Sequence, residues 1–233
     1  MASITQQQLD AFKRLHTGNP QIQALTADVV NANVAGSVVD WNKLNVGTGT
    51  GAVAGTGIGI AAIALPMGLM SDITPCEKAI GYVIFDAVCL ALGAVGLRAA
   101  VSGATIEAMT RAATPAMSQI ERIIATMAAP GAGATDYARG IFNILKAIYS
   151  GGCLGAVFSA FTSSLSWWDG VLYGITGTAT IVAALATDGV AFVAEVVILL
   201  ATFGFLASDT AKAVDACSIA PAATDTALAT AVS

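Results

Sequence analysis

The chain has 233 residues, of which 56% are apolar and only 11% are charged. Soluble domains carry about 25% charged residues, so this composition is typical of a protein with extensive lipid contact. The formal net charge of −5 excludes the basic surface that nucleic-acid binding requires. We therefore expect an integral membrane protein without a nucleic-acid partner.

The N-terminal segment, residues 1–46, is polar and moderately amphipathic. Apolar residues recur at helical spacing over 4–15 and again over 22–34, which predicts two short helices. A Gly-Asn-Pro turn at 18–20 separates them. The segment lacks the apolar core of a signal peptide, so we expect the first apolar span to act as the insertion signal. Trp41 precedes that span and is a candidate interface anchor.

Residues 47–97 are predicted to form a transmembrane hairpin. No charged residue occurs between Lys43 and Asp72, which is long enough to cross a hydrocarbon core of about 30 Å. Residues four apart share a helix face, and small residues let a second helix approach closely. The stretch is therefore predicted as a glycine-zipper helix. Its stripe of packing glycines consists of Gly47, Gly51, Gly55 and Gly59.

A phosphate-binding loop is the alternative for this glycine-rich stretch. Such a loop requires Gly-Lys-Ser or Gly-Lys-Thr at its end, and neither follows here.

The second span is predicted over 79–97, after the polar loop 71–78. Pro75, with Thr74 before it and Glu77 after it, indicates a helix start. Within the span, Gly93 is predicted to offer a further small-residue packing face.

Residues 98–139 form the longest hydrophilic connection. Thr114 and Pro115, followed by Glu121, indicate a helix start, and the helix is predicted to end before Pro130. We expect this amphipathic helix to lie on a membrane surface or against a partner.

Residues 140–207 are predicted to contain two or three apolar spans. The first, over 141–166, carries Gly151 and Gly155 at the same four-residue spacing. Trp167 and Trp168 follow it and resemble an aromatic belt at the membrane interface.

The remaining apolar stretch, 170–207, is too long for one crossing at 1.5 Å per residue. We divide it into spans over 171–187 and 189–207, which predicts four to five transmembrane helices in an all-α membrane protein. A polar tail rich in Ala and Thr occupies 208–233.

Basic residues predict the orientation of the spans. Arginine and lysine are concentrated in the N-terminal segment and in residues 98–139, so both are expected on the cytoplasmic side or its organellar equivalent. The loop 71–78 then lies on the other side. Five crossings put the tail 208–233 on that side as well. A topology with four crossings is the alternative.

Three acids lie in apolar surroundings: Asp86, Asp188 and Glu195. Ionisable groups inside a membrane are costly, which makes these residues candidates for an ion or proton relay. The alternative is structural, with Asp188 capping a turn and Glu195 pairing with a neighbouring subunit.

No catalytic or metal-binding pattern is present in the sequence. The single histidine, His16, has no nucleophile beside it, and the four cysteines are too widely spaced for a zinc site. Cys89 and Cys153 are expected to act as small hydrophobic residues. Whether Cys76 and Cys217 pair is left open.

Two functions follow from these patterns. The first is a non-catalytic membrane subunit without cofactors, which packs by its glycine faces among lipids and other transmembrane subunits or copies of itself. The second is a self-assembling helical pore or channel.

Overall fold

The computed structural model describes residues 3–15, 20–33, 73–94, 97, 101–163, 181–187 and 189–221. All regular secondary structure in these ranges is helical, which confirms the predicted all-α class. The main helices are α1 (Gln6–Leu15), α2 (Pro20–Gln23), α3 (Ala27–Asn33), α4 (Pro75–Ala91), α5 (Gly103–Ala112), α6 (Met117–Met127), α7 (Ala134–Ser150), α8 (Leu154–Thr162), α9 (Val190–Leu200) and α10 (Phe205–Cys217).

Hydrogen bonds connect the start of the chain to α3. The Asn31 side chain accepts a hydrogen bond from the Ile4 backbone N–H at 2.9 Å and donates one to the Ile4 carbonyl at 3.1 Å. Leu9 and Phe12 are buried, as the helical spacing over 4–15 predicts. The helix predicted over 22–34 is two short helices, because the chain turns between α2 and α3.

α4 begins where the sequence predicts. Thr74 is its N-cap and Pro75 lies in its first turn. The Thr74 hydroxyl accepts a hydrogen bond from the Glu77 backbone N–H, while the Glu77 carboxylate accepts from the Thr74 N–H and hydroxyl at 2.8 Å each. The hydrogen bond from the Thr74 backbone N–H, and after it the bond from the Thr74 hydroxyl, lower the pKa of Glu77 below its usual value.

α4 ends at Ala91, earlier than the predicted end of its span at residue 97. Gly93 follows with a φ of 64°, the left-handed conformation that commonly ends helices and favours glycine. Gly93 therefore lies in the turn that ends α4 and not in the body of a helix.

α4 lies at the centre of the described bundle. Ten of its residues are buried, and α5, α7, α9 and α10 pack against it. Its Phe85 ring contacts Phe161 of α8, with centroids 5.6 Å apart. Most large apolar side chains of the described helices are buried or partly buried. The large hydrophobic residues exposed among them are Val29, Tyr149 and Phe205.

The middle connection is helical and packs against the rest of the bundle. The predicted helix start at Thr114 is a 3-10 turn, Thr114–Ala116, that leads into α6. α6 buries Ile120, Ile124 and Met127 and packs against α7. It ends before Pro130, as predicted.

In the described part of the chain, membrane-length apolar segments occur as bent pairs. No single helix there is long and apolar enough to cross a bilayer, whereas α7 with α8 and α9 with α10 each reach that length and composition together. The bends are 110° and 98°. The span predicted over 141–166 is therefore broken, because α7 ends at Ser150, with Gly151 as its C-cap, and Gly152 turns the chain with a φ of 70°.

Candidate functional site in the α4 helix cluster

α4 packs closely against α5 at Gly81. A Cβ atom at this glycine would overlap the Thr110 hydroxyl oxygen and lie 2.9 Å from Cγ2 of Ile106. Both neighbours are buried, so the crossing depends on the missing side chain. Sequence reasoning missed Gly81, although a lone glycine inside a helical pattern is itself a signal for close packing.

Two further glycines make close contacts in the bundle. Gly140 of α7 lies against the Met127 side chain, which a Cβ would overlap. Gly189 precedes α9 with a φ of 71°, and its missing Cβ leaves room for the Phe142 ring.

The predicted packing glycines have different environments. Gly155 is exposed, with no atom near its missing Cβ. Gly151 ends α7, where a Cβ would lie 3.5 Å from Cβ of Ala116. The stripe formed by Gly47, Gly51, Gly55 and Gly59 lies outside the described residues, as do the candidate anchors Trp41, Trp167 and Trp168. For these residues the packing and anchoring roles stay predictions.

A disulfide joins the start of α4 to the end of α10. It links Cys76, the second residue of α4, to Cys217, the last residue of α10, and their Cα atoms are 4.6 Å apart. The sequence left this pairing open. Cys89 and Cys153 are buried thiols, as expected for small hydrophobic residues.

The disulfide sets α4 and α10 antiparallel, since the first turn of one meets the last turn of the other. Counting by 4, 7 and 11 residues from each cysteine defines one face of each helix. On α4 this face carries Ile80, Val83 and Ala87, all buried. On α10 it carries Ala213, Thr210 and Leu206, also buried.

The buried part of α10 contains one large apolar side chain, Leu206. Asp209 is only 2% exposed and accepts a hydrogen bond from the Lys212 ammonium at 2.7 Å. The Thr210 hydroxyl is buried and has no hydrogen-bond partner among the described residues. Burying polar groups costs free energy, so Asp209 and Thr210 offset part of the stabilisation that α10 gains from its contacts with α4.

A cavity of about 250 Å³ lies beside the first turn of α10. Its walls are mainly apolar and include Leu200, Phe203 and Leu206, with Tyr137 of α7 contributing a polar group. This open pocket lies at the end of α10 opposite the disulfide.

Two of the three candidate relay acids lie in described residues. Asp86 is fully buried in the middle of α4. Glu195 lies on α9, which packs against α4, and its side chain is partly exposed. The two acids are thus on neighbouring helices. Asp188 lies outside the described residues, so its predicted role is untested.

Within the described ranges, no group of three or more His, Cys, Asp or Glu residues is arranged to hold a metal ion. Comparisons with protein-family models, with curated proteins and with solved structures find no match to this chain.

Proposed function

We propose that the chain is a non-catalytic protein that acts in a membrane, as a self-assembling helical pore former. The observation that carries this proposal is the burial of apolar α4 at the centre of a helical bundle. A permanent lipid-facing helix would point its apolar side chains outward. Here the apolar helix must leave its neighbours before it can contact lipid.

The surrounding helices support the same function. α6 and α7 bury one apolar face each and leave polar residues outside. Such a cover lets apolar segments stay out of water until a membrane is available. Rearrangement between two packings of one chain is an established type of switch.

The glycine stripe at Gly47, Gly51, Gly55 and Gly59 is the proposed contact between inserted copies. Helices in lipid associate through close van der Waals packing, which small residues permit. Four glycines on one face therefore give a surface for self-assembly.

The test of this proposal is permeability of protein-free bilayers. Purified full-length chain is added to vesicles of phosphatidylcholine and phosphatidylglycerol loaded with calcein, under both oxidising and reducing conditions, and to a planar bilayer of the same lipids. A pore former releases the dye and gives discrete conductance steps. Absence of release and conductance under both conditions would refute the proposal.

A matched pair of variants tests the stripe itself. Leucine at Gly55 would put a side chain where the neighbouring backbone is expected, whereas leucine at Ile60 lies off the stripe. We expect Gly55→Leu to abolish oligomers and conductance, and Ile60→Leu to retain both. Native gels in mild detergent measure the oligomers. Equal behaviour of the two variants would argue against packing through this stripe.

The second candidate is a permanent, non-catalytic subunit of a larger membrane complex, and the disulfide favours it. A disulfide requires Cys76 and Cys217 on one side of the membrane, and such bonds persist in oxidising compartments. This agrees with five crossings, in which the loop 71–78 and the tail 208–233 share the non-cytoplasmic side. Four full crossings would separate the two cysteines.

Extraction from native membranes distinguishes the two candidates. A permanent subunit copurifies with other polypeptides in mild detergent and leaves pure vesicles intact. A pore former copurifies with copies of itself and permeabilises vesicles.

The acids give a further distinction. If these acids relay ions through the pore, Asp86→Asn or Glu195→Gln lowers ion flux while the oligomer remains intact. With a structural role, the same substitutions reduce assembly or stability instead. Flux through planar bilayers and native gels measure the two effects separately.

A further inference from the structure

We propose that the Cys76–Cys217 disulfide is a redox latch that keeps α10 on α4 and thereby keeps α4 from inserting into a membrane. This inference rests on the proposed pore function and adds its regulation. The effector is a dithiol reductant.

α10 buries few large apolar side chains. Its buried face offers Leu206, Ala213 and two polar residues, and a cavity lies beside its first turn. By contrast, α7 buries four large aliphatic side chains: Ile141, Ile144, Leu145 and Ile148. α10 therefore buries fewer large aliphatic side chains than α7, and the disulfide adds a covalent attachment that keeps α10 on α4.

α10 packs against α4 along the face that begins at Cys76. The α4 face that includes Cys76 continues through Ile80, Val83 and Ala87, and each of these three residues has 0% exposure. Among the described helices, the α4–α10 interface is the most extensive. Release of α10 would expose an apolar stripe along α4, which is the surface that an inserting helix requires.

The disulfide is accessible to a reductant in solution. Both cysteines are partly exposed, so a thiolate in solution can reach the bond. A thiolate of the reductant attacks one sulfur, the S–S bond breaks, and the other cysteine leaves and takes up a proton. The second thiol of the reductant then attacks the mixed disulfide. Two cysteine thiols and one oxidised, disulfide-bonded reductant result, with both electrons and both protons supplied by the reductant.

Hydrogen exchange without any membrane tests the latch alone. The full chain is measured oxidised and after treatment with dithiothreitol, with α7 as the internal reference. We expect amides of α10 to exchange at least about tenfold faster after reduction, and to gain more than the amides of α7, because local opening of α10 adds to any change in global stability. Unchanged exchange in α10, or an equal increase in α7, would overturn the latch.

Dye release then tests what the latch controls. With calcein-loaded vesicles of phosphatidylcholine and phosphatidylglycerol, we expect release by the reduced protein to be at least about tenfold faster, because the insertion-competent state gains population. Faster exchange in α10 with no release in either state would refute the pore and leave the latch standing. Equal release by both states would refute control by the latch.

Two double variants provide the controls. Cys76→Ser with Cys217→Ser should release dye without reductant. Cys89→Ala with Cys153→Ala keeps the disulfide and should still need reductant. The comparison of oxidised with reduced wild-type protein remains informative even when a variant does not fold. Loss of the reductant requirement in the second variant would assign the effect to the buried thiols and overturn the proposal.

Discussion

α7 and α10 both pack against α4, yet they are held there in different ways. α7 buries a row of large aliphatic side chains between α4, α6 and α9, so its attachment to the bundle comes from apolar area removed from water. α10 buries mostly small and polar residues and depends on a disulfide. The first kind of attachment is insensitive to redox conditions. The second depends on redox conditions, which makes α10 the element suited to regulation.

The largest expected effect comes from removing the disulfide. Its cysteines are 141 residues apart, and the chain-entropy relation gives about 5 kcal/mol for closing a loop of this length. We expect Cys76→Ser with Cys217→Ser to lower the free energy of unfolding by about this amount, measured by urea denaturation. Wild-type protein with reductant should match the variant. A loss below about 1 kcal/mol would contradict the role assigned to the bond.

Truncating the core side chains sharpens the comparison. Ile144 is fully buried on α7, and Leu206 is 1% exposed on α10. We expect Ile144→Ala to cost about 3–4 kcal/mol and Leu206→Ala about 2 kcal/mol, because the site beside an existing cavity loses fewer contacts. Urea denaturation of both variants measures the difference. An equal or larger cost at Leu206 would mean that α10 is as well anchored as α7.

Close packing at Gly81 is a third way in which a helix, here α5, is held on α4. Gly81→Leu forces a side chain into the space of Thr110 and Ile106, so we expect a loss of about 1–3 kcal/mol. Gly155→Ala is the matched control. Its site is open, so alanine should stabilise α8 by up to about 1 kcal/mol. Thermal denaturation followed by circular dichroism measures both, and destabilisation by Gly155→Ala would contradict the open site.

The smallest expected effect is at the start of α4, next to the disulfide. Thr74→Ala removes the N-cap and should cost about 1 kcal/mol at neutral pH. The lowered pKa of Glu77 means that its carboxylate stabilises the folded state above its usual pKa of 4.5, and that this contribution is lost as the pH falls through the lowered value.

Glu77→Gln isolates this pH dependence, since glutamine does not titrate. The stability difference between wild type and Glu77→Gln should be largest above pH 4.5 and shrink in acid. Urea denaturation at several pH values measures it. A difference that grows as the pH falls would have the opposite sign and contradict the assigned hydrogen bonds.

Local signals in the sequence predicted local structure well. The apolar spacing around Leu9 and Phe12 predicted a helix whose apolar face is buried, and the Thr74-Pro75 start of α4 has the predicted capping geometry. Such features involve neighbours three or four residues apart, so the interacting groups can be identified from spacing alone.

The continuous spans were harder to predict, because composition does not reveal where a helix bends. The apolar run 141–166 contains Gly151, which the spacing predicts as a packing residue but which caps the end of α7, and Gly152, which turns the chain. Glycine suits both a packing face and a left-handed turn, so its spacing could not distinguish the two.

By itself, the sequence determined the helical class, several helix starts and the set of apolar segments, since backbone propensity and side-chain period depend on nearby residues. Only the tertiary structure decided which segments meet. In the folded chain Cys76 is bonded to Cys217, Gly81 packs against Thr110, and Asp86 of α4 is buried within the bundle. These contacts join residues far apart in the chain. They depend on how whole helices pack, and packing is a property of the complete core and not of any local pattern.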